Sequence, residues 1–179
     1  MAKKKATKQR AKNKKTPRAK AHEAILREQL VYLLKGGGAH VHFEDALNGL
    51  PANLRGTFAQ GLKHTAWQLL EHSRIAQWDI LEFSRNAKHV SPDFPGGYWP
   101  KTPMPPDDAA WDKSAREFLG DLAAMVKLVQ NSRTDLCKKI SHGDGQTVLR
   151  EALLLADHNA YHLGQLVDLR RALGAWPEA

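Results

Sequence analysis

His158 and His162 are the residues of this chain best suited to chemistry. They stand four apart in a segment with helical periodicity, so their imidazoles stack on one face, one turn apart. Two such nitrogens can share a metal ion. His162 falls in the middle of an apolar stripe, between Leu155 and Leu169, and His72 falls in another, between Leu69 and Ala76. Buried imidazoles need polar partners. Two readings meet that need. Each histidine bonds a carbonyl or a neighbouring side chain, or one metal ion satisfies all three.

Four helical segments have to position these side chains. Ile25, Leu26, Gln29, Leu30, Leu33 and Leu34 recur at helix spacing until Gly36-Gly37-Gly38 stops the run. A second long helix is predicted from about residue 65 to 87, with Thr65 as N-cap and Leu69, His72, Ala76, Ile80 and Phe83 as its stripe. A third runs over about 108–131 on Trp111, Ala115, Phe118, Leu122, Met125 and Val129. The fourth runs over about 147–173 and carries both His158 and His162, with Gly174 as its stop. Between them lie a less regular stretch around 40–63 and a Pro/Gly-rich segment over 89–108 that cannot be helix interior. No strand is predicted. The fold class is therefore all-α, a four-helix bundle. The long 89–108 segment permits the second and third long helices to run parallel.

Charge divides the chain. It has 179 residues, with 27 Lys and Arg against 19 Asp and Glu, nine His and one Cys. Ten of the cations, and no acid, fall in residues 1–20. The remainder, 17 basic against 19 acidic residues, is mildly acidic. Residues 1–20 contain no Leu, Ile, Val or aromatic residue, so they are expected to be a disordered basic tail on a domain over 21–179. Such a tail is a solubilising extension or attracts nucleic acid weakly and without sequence preference. One cysteine excludes an internal disulfide and a Cys-rich zinc module. No apolar run is long enough to span a membrane, and the basic start lacks the apolar segment of a secretory signal. A reducing cytoplasmic setting is the expectation.

The histidines lie in recognisable contexts. His72 ends Trp67-Gln68-Leu69-Leu70-Glu71-His72, before Ile75-Ala76-Gln77-Trp78. The last helix reads Asp157-His158-Asn159-Ala160-Tyr161-His162-Leu163-Gly164-Gln165-Leu166, then Arg170-Arg171-Ala172-Leu173-Gly174. Over residues 21–176 the chain resembles the DinB family of the DinB/YfiT-like metalloenzyme superfamily. The resemblance implies an up-down-down-up four-helix bundle. It also implies a divalent metal, often nickel or zinc, held by His72, His158 and His162. Three protein nitrogens leave a position open for water or a small-molecule substrate. The reaction implied is hydrolysis or transfer involving a low-molecular-weight thiol. A non-catalytic, metal-stabilised accessory protein is the alternative. Bundles of this kind often pair through exposed helix faces, which allows a homodimer.

Other polar residues are secondary. Asp79 and Glu151, each seven residues from a triad histidine, either orient it from behind or act as ordinary helix-face carboxylates. Asn159 and Gln165 either face a bound water or pack. His64 is expected outside the helix. His40, His42, His89 and His142 are expected on surface loops, and Cys137 is expected to be inert. Trp99, beside Tyr98, either covers the metal mouth or packs its segment onto the helices.

Overall fold

The structure, a computed structural model, describes residues 16–36 and 38–177. Among these the protein is all-helical. Its α-helices are α1 (Pro17–Lys35), α2 (Phe43–Leu47), α3 (Ala66–Arg85), α4 (Asp108–Gln130) and α5 (Val148–Ala172). Two single 3-10 turns, Ala52–Leu54 and Gly96–Tyr98, lie in the connections.

Each long helix begins on a side-chain oxygen that satisfies a backbone N–H left free at its start. Thr16 accepts from Ala19, Asp107 from Ala110 and Thr147 from Arg150. Thr65 and Gln68 form a reciprocal capping box at α3. Gly174, at φ 65°, takes the left-handed conformation that ends α5, with its N–H on the carbonyl of Arg171.

Helices α1 and α3 each pack against α4 and α5, and α2 lies on α5 and α4. The apolar stripes meet in two clusters. One gathers Trp67, Leu70, Trp111, Phe118, Leu163 and Leu166. The other gathers Leu30, Leu34, Leu81, Met125, Val129 and Leu155. Each such side chain contributes about 1.5–3 kcal/mol on burial.

Two expectations change here. The tail was expected to run to Lys20, but Thr16 and Pro17 start α1, so residues 17–20 are helical. A threonine cap and a proline at the first helical position favour this start. The rest of the expected tail, residues 1–15, lies outside the described residues. In α1, Ile25 and Leu33 face solvent, while Arg27 is buried. Its guanidinium donates to the carbonyls of Val129, Asn131 and Thr134 and pairs with Glu23. The carbonyls at and beyond the end of α4 need donors, and a buried arginine supplies several at once. Among the described residues no helix is long and apolar enough to cross a membrane.

Candidate metal centre

Two helices bring the three histidines together. The fourth residue spacing of α5 aligns His158 with His162, and α3 carries His72 across from them. The Nε2 of His72 lies 3.1 Å from the Nε2 of His162 and 3.1 Å from the Nε2 of His158. One ligand atom from each lies within 4.8 Å of the others, and His162 is buried.

Hydrogen bonds behind the rings set their tautomers. The Nδ1 of His72 lies 2.9 Å from the carbonyl oxygen of Tyr98. A carbonyl only accepts, so neutral His72 carries its proton on Nδ1 and a lone pair on Nε2. The Nδ1 of His162 lies 2.9 Å from Oε1 of Gln165, which likewise puts a lone pair on its Nε2. Two lone pairs therefore face each other at 3.1 Å. They cannot hydrogen-bond to one another, and a cation between them satisfies both. His158 is less constrained, since its buried Nδ1 has no partner.

The donor set could hold a divalent ion. Nitrogens about 2.0–2.1 Å from a metal stand about 2.9 Å apart at octahedral angles and about 3.3 Å apart at tetrahedral ones. The two spacings from His72, each 3.1 Å, lie between these values, and all three ligand atoms lie within 4.8 Å of one another. Burial, above all, pushes His72 and His158 down to about 4. The Tyr98 carbonyl opposes this at His72, while nearby imidazoles add to it. His162 is also lowered, again chiefly by burial. All three rings are neutral at pH 7, the form that binds metal.

Neither of the carboxylates near the triad orients a triad histidine directly. Asp79 does not reach His72. Seven residues of helix are about 10.5 Å of rise, too far for a direct contact. Its Oδ1 instead accepts from Nε2 of His89 at 2.7 Å, and its Oδ2 accepts from the Tyr98 hydroxyl at 2.6 Å. Asp79 thus acts one step removed, on the residue whose carbonyl holds His72. Burial, reinforced by Asp79, pushes the Tyr98 phenol up to about 12. Glu151 is separated from His158 by the same two turns and pairs with Arg150 at 2.7 Å. Asn159 packs, donating to Gln77, which donates in turn to the carbonyl of Phe118.

His89 was expected on the surface, yet its side chain is 5% exposed, held by Asp79 and set edge-on against Trp78. His64 does precede α3, but its ring stacks on Trp99 at 4.1 Å. The other face of Trp99 stacks on His72 at 3.9 Å, nearly parallel. The 89–108 segment therefore covers one face of His72. His40, His42 and His142 are exposed and bond carbonyls of Val41, Lys35 and Phe83. Cys137 is exposed and takes no part in the triad. Sequence reasoning missed the carbonyl of Tyr98 and the ring of His64. The adjacent Tyr98-Trp99 pair in a Pro/Gly-rich segment was the available signal.

Comparison with protein-family models, with curated proteins and with solved structures finds no match to this chain.

Proposed function

We propose that this protein is a DinB-type metalloenzyme. It would hold a divalent ion, nickel or zinc, through His72, His158 and His162, and act on a small molecule by activating water or a low-molecular-weight thiol. The carrying observation is the pair of imidazole lone pairs that face each other 3.1 Å apart, with a third imidazole at the same distance. Imidazole suits either metal. An up-down-down-up bundle is part of the proposal. Its support is the packing of α1 and α3 on α4 and α5, and the long segment 86–107 that lets α3 and α4 run parallel. A cytoplasmic setting and pairing of two copies belong to the same reading, as does a tail that loosely attracts nucleic acid.

A bound divalent ion would supply Lewis acidity, acidifying a water or thiol that reaches it and stabilising the anion. The chain's own residues prepare the site. The Tyr98 carbonyl and the Gln165 amide oxygen orient two of the rings and raise their basicity. Trp99 shields one face of His72 from water.

Elemental analysis of the full chain, purified without chelator or added metal, tests the proposal. The expected result is about one nickel or zinc ion per chain. No metal, even after incubation with nickel, zinc and manganese, would overturn it and leave one buried and two half-buried imidazoles.

A further inference from the structure

Beside the triad lies a cavity of about 310 Å³. Residues 61–64 form one wall, and Tyr161 and Gln165 of α5 form another. Both of these α5 residues also touch His162. The Tyr161 ring lies 5.0 Å from its ring, and Gln165 holds its Nδ1. His64, also in the lining, stacks on the Trp99 that covers His72. The cavity and the triad therefore share walls.

Leu62, Leu69 and Leu169 make an apolar surface. The polar groups are the Lys63 ammonium, the His64 imidazole, the Tyr161 hydroxyl and the Gln165 amide, and no carboxylate is among them. Gln165 decides the sign of its own end. Its Oε1 is committed to His162, so the end left for a ligand is the NH2 group, a donor. Among the described residues none of these donor groups has a hydrogen-bond partner in the protein. A cavity with apolar sides, several unengaged donors, one lysine ammonium and no carboxylate suits an acceptor-rich anion on an apolar body.

We propose that this cavity binds a small organic carboxylate with a short apolar body and presents it to the triad as substrate. As a substrate site it rests on the metal reading above. As an anion-binding cavity it stands without it.

Phenylacetate and its neutral analogue phenylacetamide are the probes, titrated into the nickel-loaded full chain and followed by NMR. Saturable phenylacetate binding is expected, with the amide weaker by about tenfold or more, the loss of one charge-assisted contact. Gln165→Glu keeps an acceptor for His162 but replaces the donor with a negative charge. It should weaken phenylacetate binding by about tenfold or more. Lys63→Gln, an exposed change that leaves the helices intact, should weaken it about threefold or more.

No saturable phenylacetate binding, equal affinity for the amide, or unchanged affinity in both variants would each overturn the proposal. Nickel content of the same samples separates the two readings. Phenylacetate binding without nickel uptake removes the triad reading and leaves the anion cavity. Nickel uptake without phenylacetate binding does the reverse. With cobalt(II) in place of nickel, bound phenylacetate resonances should broaden strongly. Sharp resonances at saturation would place the cavity away from the metal and overturn its role as a substrate site.

Discussion

His72 and Tyr98 lie 26 residues apart, yet the backbone carbonyl of Tyr98 holds the Nδ1 of His72 at 2.9 Å. That contact aims the Nε2 lone pair of His72 at the other two histidines. Tyr98 is itself tied back to α3, because its hydroxyl donates to Asp79. The residue that orients a ring of α3 is thus anchored two turns further along the same helix.

Tyr98→Phe keeps the carbonyl and removes the anchor. A hydrogen bond to a charged group contributes about 1.5–3 kcal/mol, so stability should fall by an amount of that order in urea unfolding. Nickel affinity should fall by up to about tenfold, the low end for groups behind a metal ligand. Unchanged values for both would show that the Tyr98 hydroxyl does not position His72.

His162→Ala removes the buried member of the triad. Nickel or zinc content should drop from about one ion per chain to near zero, with the far-UV circular dichroism of the helices retained. Full metal occupancy in this variant would rule out the triad. Cys137→Ser, at an exposed position outside the site, should keep its metal.

The half-buried His72 and His158 make the metal-free protein sensitive to acid. His72 and His158 titrate near 4 when folded, against an ordinary 6.5. Between these values the unfolded chain binds protons that the folded one excludes, so stability falls as pH drops from 6.5 towards 4. It is fully present above 6.5. Glu71 is lowered, since Arg74 and Ser114 outweigh its burial, so its own contribution is lost only below about 4.5. The urea midpoint of metal-free protein should therefore be lower at pH 5 than at pH 7.5. Equal midpoints would mean that the histidines are not buried in the neutral form.

Arg170 is 2% exposed and donates to the carbonyls of Ala46, Asn48 and Ala175. It ties α5 to the end of α2 and to the chain beyond Gly174. Arg170→Ala should destabilise the protein by about 3 kcal/mol, because several buried carbonyls lose their donor. Arg170→Lys should recover little of this, since an ammonium lacks the planar fork that reaches several acceptors. Unfolding curves of the two variants decide the point, and a lysine variant as stable as the parent would contradict it.

Local sequence was enough for most of what has a short range, although the Thr16-Pro17 start of α1 went unread. Apolar spacing marked the long helices, Thr65 and Thr147 marked where two of them begin, and Gly174 marked an end. The four-residue interval placed His158 and His162 on one face, and the apolar stripes put His72 and His162 inside. What stayed hidden depended on distances between elements. Asp79 shares a face with His72, but two turns of rise keep it out of reach, so only the fold could assign it to Tyr98 and His89. Arg27 lies outside the apolar spacing of α1, and only the carbonyls of Val129, Asn131 and Thr134 explain its burial. A helix has a fixed pitch, so its faces and ends are written in neighbouring residues. The segment 89–108 has no pitch, and the stack of Trp99 between His64 and His72 was decided by the helices it packs against.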